Sequence, residues 1–537
     1  MIFSIDQNCH SLWDVIPKLQ ALLAKSRRVT HFVEDVDVAF TALGAPIGSE
    51  QMRLARERFY RSGGADWGAA VFYSEFLGRL PTEIRQWEPY TGMKTKALAK
   101  ELGRSVDDLY EEFSPGDNWQ LIGCSYVADR GRHRLIGDLT VSETRPFLRE
   151  IMAKAKADTF RAFPERDSQQ RLAEWFAREE QLLQRLLSDR SEGRLVDLYR
   201  GWLREYLGDR VRVDLTSQLF ACSADPARVA ILEPFLRDYP RAAELYNEAI
   251  EETGAQLRPL RTADGELPFF AVYQHQGRWV RSVAFLDGGE IRIADRAFPL
   301  GPDPRLPIER LRDAGISALV GKAILMAIQV RLGDRGAPLA VPYRGSAYLP
   351  AAHRLARKLA AERLLAGRLQ PLLRVRFGLL DRMKGLDTTV RLPGHLAACF
   401  GREEIPARML GENHAALAEQ ASQRLEAFKD PAARRKWQQE TMPKRFEEIS
   451  LLDQRRREIA QRDPKAPEIR AVWKRIKTTR AEILARTLRQ IAADWHVRDL
   501  DYWDSRGALL PWCIALGGET FYNKVVQEAE IYEETAL

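Results

Sequence analysis

The stretch "APLAVPYRGSAYLPAAHRLARKLAAERLL", residues 337–365, decides the fold class. It opens as a short apolar strand, passes through a polar loop and closes as a long basic helix. A strand that ends in a loop just before a helix is the repeating unit of an α/β layer fold. Ligands of open α/β sheets dock outside the carboxyl ends of such strands. The loop carries Tyr343, Arg344, Gly345 and Ser346, with Tyr348 close behind. Arg344 offers a planar fork of donors for a carboxylate or phosphate. Ser346 either caps the helix or binds an anion. The competing reading is a surface loop with a solvated arginine and a plain cap.

Upstream, "RVRVDLTSQLFAC" (210–222) alternates as a strand does, and "PARVAILEPFLRDYPRAAELYNEAIEETGA" (226–255) is helical. "PFFAVYQHQGRWVRSVAFLDGGEIRIADRAFPL" (268–300) reads as an antiparallel meander turning at Gln276-Gly277 and at Asp287-Gly288-Gly289. "ISALVGKAILMAIQVRLG" (316–333) is a continuous apolar run, so strand and helix stay open. The first 205 residues read as mostly helical with a short β segment. Helices are expected over 48–62, over "WGAAVFYSEFLGRL" (67–80) and over 105–113. Further helices run from 142 to 207. "WQLIGCSYVAD" (119–129) is β-like, with "RHRLIGDLTV" (132–141) as its partner strand.

Downstream, residues 414–463 form one helical arm, with Pro431 and Pro443 as breaks or kinks. Asp463-Pro464-Lys465-Ala466-Pro467 cannot continue a helix, because proline lacks the amide donor and clashes with the preceding turn. The helix resumes with Trp473, Ile476, Ile483, Leu484, Leu488 and Ile491 at helical spacing, which predicts an antiparallel coiled-coil hairpin. "ALLPWCIALGGETFYNKVV" (508–526) reads as a short helix ended by Gly517, then a last helix over Glu519–Thr535. A phosphate-cradling use of its glycines lacks an adjacent cation, Lys524 lying a turn away. The expected division is 1–205, a mostly helical region; 206–350, an α/β core with the meander; 351–497, the helical region with its arm; and 498–537, a terminal helix pair.

A chain of 537 residues exceeds one ordinary core. Its 45% hydrophobic and 29% charged content is that of a globular protein, and no apolar run suits a membrane span. The start lacks the pattern of a signal peptide. Five scattered cysteines form no CxxC pair, which suits reduced thiols in a cytoplasmic protein. The 82 basic residues are interleaved with 75 acidic ones, as in "RREIAQRDPKAPEIRAVWKRIKTTRAEILAR" (456–486), so a nucleic-acid partner is not expected.

No phosphate loop, dinucleotide fingerprint, HExxH or GxSxG motif is present. Three weaker constellations accompany the Arg344 loop. Gly63-Gly64 in "RSGGADWGAAVFYSEF" would let backbone amides approach a ligand, or would only end one helix before Asp66 caps the next. "DRGRHRLIGD" (129–138) sets His133 among Asp129, Arg130, Arg132, Arg134 and Asp138, a general-base setting if buried and a charged hairpin turn if not. His395 and Cys399 share a helix face, but two ligands do not make a zinc site, and no metal is expected.

The order of these pieces resembles the cysteine-adding enzyme of bacillithiol synthesis, a cysteine ligase family. Three stretches carry the likeness: residues 242–295, "GAPLAVPYRGSAYL" with Pro342, Arg344, Gly345 and Ser346 on the family's P-x-R-[AG]-S loop, and "DSRGALLPWCIALGGETFYNKVVQEAEI" (504–531) after the arm. The family's Thr-Gly-Gln-Gln turn is absent, with "SGGADWGAAVFY" its faint echo. Its Glu-Asp-His-Asp run after a buried strand is also absent, with "CSYVADRGRH" as a distant stand-in. The resemblance implies a Rossmann-like core, helical connectors and a long antiparallel coiled coil. It further implies a carbon–nitrogen bond-forming ligase, in which a small anionic ligand, nucleotide or sugar acid, lies at Tyr343, Arg344, Gly345 and Ser346, with Gly63 and Gly64 as further candidates. The alternative is a non-catalytic scaffold that forms a homodimer through its coiled-coil arm.

Overall fold

The computed structural model describes residues 1–6, 12–25, 27–39, 72–73, 77–78, 84–113, 120–121, 123–124, 130–223, 226–255, 257–332, 336–345, 348–365, 367–505 and 509–534. Two units form, each discontinuous in sequence: 1–76 with 118–390 and 501–537, and 77–117 with 391–500. The protein is mixed α/β, with one largely parallel and one antiparallel sheet, each of six strands. Among the described residues no helix is long and apolar enough to cross a membrane.

The first unit begins with β1 (Ile2–Asp6), α1 (Ile16–Ala24) and β2 (Val29–Val33), followed by α2 (Val141–Ala162), α3 (Arg166–Asp189) and β3 (Val211–Leu215). After α4 (Tyr239–Thr253) come β4 (Glu266–His275), β5 (Arg278–Asp287), β6 (Glu290–Ile293), β7 (Arg296–Pro299) and β8 (Ile316–Gly321). Then β9 (Leu339–Pro342), α5 (Leu349–Ala361) and β10 (Leu372–Arg376) follow. In the second unit α6 (Ala407–Phe428), α7 (Pro431–Thr441), α8 (Pro443–Arg462) and α9 (Glu468–Arg498) run in succession. The chain returns to the first unit with α10 (Leu509–Gln527) and β11 (Glu530–Glu534).

The parallel sheet has the order β11-β10-β9-β1-β2-β3, antiparallel only at β11. The chain therefore moves outward from β1 to β2 and β3, then restarts on the other side of β1 with β9. All five residues of β2 are buried, as a central parallel strand covered on both faces requires. The antiparallel sheet has the order β7-β6-β5-β4-β8, and His133–Arg134 also pairs with β5. Its turns fall at Gln276-Gly277 and Gly288-Gly289, all four residues with positive φ, the backbone that tight hairpins need. Phe3, Phe32, Tyr246, Leu267, Phe269 and Leu355 belong to one buried apolar core of this unit.

In the second unit Trp87, Leu98 and Leu109 pack with Leu425, Phe428, Leu488 and Ile491. Pro431 and Pro443 each take the first helical position, where no amide donor is needed, so they start α7 and α8 rather than bend one helix. Asp430 caps α7 through the amides of Ala432 and Ala433. Helices α8 and α9 run antiparallel after the proline-rich turn, with Arg445 on Glu482 at 2.9 Å and Arg475 on Glu448 at 2.7 Å.

Several expectations are corrected. The first 205 residues, expected as mostly helical with a short β segment, also contribute β1 and β2 to the main sheet. Phe72–Tyr73 is extended and pairs with Gln120–Leu121 instead of lying in a helix over 67–80. Among the described residues, 132–141 make no strand pairing with the 119–129 segment: His133–Arg134 joins β5, and Ile136–Asp138 is a 3₁₀ turn. The apolar run 316–333 divides into strand β8 and a helix over Ala323–Gln329. The helix at the end of the chain stops at Gln527, and Glu530–Glu534 is a strand because β10 offers it an open edge. The helix expected over 48–62 lies outside the described residues.

Candidate functional site

The loop after β9 is built by its neighbours. The Tyr343 amide extends the ladder to the Val375 carbonyl at 2.9 Å, and the Gly345 amide closes a turn on Pro342 at 3.0 Å. A Cβ on Gly345 would lie 2.9 Å from the Pro342 ring, which only glycine avoids. Arg374 on β10 is buried and donates Nη1 to the Gly345 carbonyl at 2.8 Å, while its Nε donates to Glu534 of β11 at 2.6 Å. The Tyr343 ring lies 5.5 Å from the Arg376 guanidinium and edge-on to Tyr532. Arg344 is exposed and grips one oxygen of Asp501 with Nε at 2.9 Å and Nη2 at 2.7 Å. This guanidinium is therefore already set to hold a carboxylate. Ser346, Gly63 and Gly64 lie outside the described residues.

A second cluster, absent from the sequence reading, stands at the carboxyl end of β2. Strand β1 alone separates β2 from β9, so the two strand ends are about 10 Å apart. Glu34, Asp35 and Asp37 are all buried. Asp35 accepts the Ser217 amide at 2.8 Å and its hydroxyl at 2.5 Å. Asp37 faces Arg281 of β5 at 3.3 Å, and Arg281 also donates to the Val36 carbonyl at 2.8 Å. Glu34 accepts the Val36 amide at 2.9 Å. Burial pushes Asp35 and Asp37 up to about 6 and Glu34 well above the usual carboxyl range. Gly137 meets this run closely: a Cβ there would lie 2.7 Å from the Asp35 carbonyl oxygen.

Arg281 lies 4.0 Å over the Phe270 ring. Lys322, also buried, shares that ring at 5.6 Å and forms an ion pair with buried Glu266. Burial pulls the Lys322 ammonium down to about 8, with Glu266 acting against the shift. Carboxyls near 6 and an amine near 8 bracket neutrality, the range in which proton transfer needs its donors and acceptors. The signal was present in "HFVEDVDVAF" (31–40), a branched apolar strand followed by alternating acids.

No family model matches the chain, and no curated protein matches it.

The remaining candidates resolve as structure. Arg134 ties Asp138 at 2.6 Å and Glu143 at 2.7 Å, and Glu143 completes a capping box with Thr140 at the start of α2. Arg132 pairs with Asp295, and Asp129 lies outside the described residues. The Cys399 thiol contacts the His395 carbonyl, and the His395 ring lies 5.5 Å from that of His496, tilted by 56°. Among the described residues no cluster of three or more His, Cys, Asp or Glu could hold a metal ion. At Gly517-Gly518 the helix breaks, and the carbonyl of Ala515 accepts from Ser168 at 2.8 Å and Arg171 at 2.6 Å. These glycines end a helix turn whose carbonyls α3 side chains satisfy.

Proposed function

We propose that the protein is a ligase-like enzyme with a Rossmann-like core that binds a small anionic ligand, nucleotide or sugar acid, at the carboxyl edge of its parallel sheet. The observation that carries this reading is the strand order. Its direction of growth reverses between β1 and β9, and ligands of doubly wound sheets dock at such a reversal. The Tyr343-Arg344-Gly345 loop follows β9 at that point. In this reading the ligand's carboxylate or phosphate displaces Asp501 from Arg344. The buried run Glu34, Asp35, Asp37 supplies the base that takes a proton from an attacking amino-acid amine. The similarity to the cysteine-adding enzymes of bacillithiol synthesis gains support from the same run: an acidic stretch after a buried strand stands at Glu34-Asp35-Val36-Asp37. A cytoplasmic setting belongs to the same reading.

Calorimetry with ATP, ADP and glucuronate tests it. At least one should bind, and Arg344→Ala should weaken that ligand about ten-fold or more, the loss of one charge-assisted pair. Unchanged affinity for every ligand that binds would sink the role of Arg344.

A second reading, homodimerisation through a coiled-coil arm, is favoured by α7 and α8, which bury none of their residues within one chain, and by Leu451, 61% exposed. A chain lacking 411–492 should then sediment as a monomer; a dimer at the same concentration removes the arm from the interface.

A further inference from the structure

The basic excess of the chain is concentrated in one place. Residues 431–492 hold seventeen Lys and Arg against eight Asp and Glu, while the rest of the chain holds 65 against 67. Interleaving therefore describes the chain as a whole and fails on the arm. From Ile469 to Ala481 no acidic residue occurs at all. Arg470, Trp473, Lys474, Lys477 and Arg480 fall at i, i+3, i+4, i+7 and i+10 of α9, which aligns them along one face over about 15 Å. All five are exposed, whereas Val472, Ile476, Thr479 and Ile483 are buried on the adjoining face.

Two further observations give the stripe a ligand chemistry. Among the described residues none of Arg470, Lys474, Lys477 and Arg480 has a carboxylate within ion-pair distance, although Arg475 between them is neutralised by Glu448. Trp473, one of the few large apolar side chains left exposed at 39%, carries the guanidiniums of Arg456 at 5.2 Å and Arg480 at 5.7 Å over its ring, and of the two only Arg456 is held by a carboxylate among the described residues, that of Asp453 at 2.9 Å. A base that stacks on this indole takes the place of a guanidinium on its face, and the displaced Arg480 is then set beside the adjoining phosphate. A double helix would hide its base faces from this ring, whereas a single strand presents them.

We propose that this face of α9 binds single-stranded nucleic acid, Trp473 stacking on a base and Arg470, Lys474, Lys477 and Arg480 neutralising the backbone. The site belongs to the second unit and stands or falls independently of the sheet-edge reading above.

The probe is a fluorescein-labelled oligodeoxythymidylate of about fifteen nucleotides, followed by fluorescence anisotropy with the full chain. Four phosphate contacts predict an affinity that falls about fifty-fold between about 50 and 200 mM salt. Trp473→Ala should lose about ten-fold and Trp473→Phe should retain most of the binding. Lys474→Gln combined with Lys477→Gln should flatten the salt dependence. All replaced side chains are exposed, and thermal melts by circular dichroism check that each variant keeps its fold. An abasic strand of the same length, polyglutamate and phosphatidylserine vesicles are the comparison ligands. Weaker binding of all three supports the proposal. Equal binding of the abasic strand or polyglutamate overturns it in favour of a general polyanion surface, and stronger binding of the vesicles in favour of a membrane surface. No binding of the oligonucleotide at low salt overturns it outright, whatever the variants do.

Discussion

Asp35 is buried at the end of a central strand, yet both its carboxyl oxygens accept from Ser217. Those two bonds favour the charged form, and burial outweighs them, raising the group from 3.8 to about 6. Between about pH 4 and 6 the folded chain thus holds a proton that the unfolded chain has released. The stability this gives is complete below the ordinary carboxyl range and is lost as pH rises through about 6. Asp35→Asn removes the titration and keeps a neutral side chain of the same shape. Relative to the native chain, the variant should therefore gain roughly 2–3 kcal/mol on going from about pH 4 to about pH 7. Urea unfolding at both pH values measures it; a difference that does not change with pH contradicts the assignment of Asp35 as the titrating group. The acidic run itself stands in the sequence at Glu34, Asp35 and Asp37, and what the sequence does not disclose is its environment. The burial of Asp35 and its Ser217 partner are set by residues far along the chain, whereas Arg344 was legible because a strand, a loop and a helix are contiguous around it.

At the scale of elements, what the sequence discloses is what neighbours in sequence decide. The β4–β5 and β5–β6 hairpins announce themselves by Gly277, Gly288 and Gly289, and the breaks of the arm by Pro431 and Pro443. Strands β1, β2 and β11 carry no such punctuation: "IFSID" and "EIYEE" become strands only because β2 and β10 lie beside them. The break in α10 is of the legible kind. Gly518 has φ 72° and ψ −168°, a region only glycine occupies without strain. Its break lets the first half of α10 end on Ser168 and Arg171 before the second half sets out in a new direction. Gly518→Ala should cost about 1–3 kcal/mol in urea unfolding. The neighbouring Gly517→Ala, at an ordinary φ of −161°, should also destabilise, because its Cβ would lie 2.7 Å from that of Phe521. Were Gly518→Ala neutral, the kink would be incidental and the helix would run through.

For the molecule as a whole, the sheet that carries the candidate site is closed on one side by the last described strand. β11 pairs with β10 from Leu372–Glu534 to Arg376–Glu530, and its Glu534 holds Arg374, the side chain that supports the carbonyl of Gly345. His353 of α5 also reaches Glu534, at 3.4 Å, and burial keeps that imidazole neutral, down to about 4. The end of the chain thus bears on the loop after β9 through two bonds, Glu534 to Arg374 and Arg374 to the Gly345 carbonyl. The second unit has its own apolar core around Trp87, Leu425 and Leu488, and among the described residues it takes no strand from this sheet. Removing 528–537 should therefore expose the β10 edge and free Arg374 without touching the second core. Hydrogen exchange followed by mass spectrometry should show faster exchange in peptides spanning 337–345 and 370–377, with 84–113 and 407–498 unchanged, because exchange reports local opening. The substitution Glu534→Gln keeps the strand and removes only the negative charge that faces Arg374, so it should accelerate 337–345 alone. If truncation loosens both units equally, the sheet and the arm unfold as one cooperative body, and β11 is not a local clamp on the Arg344 loop.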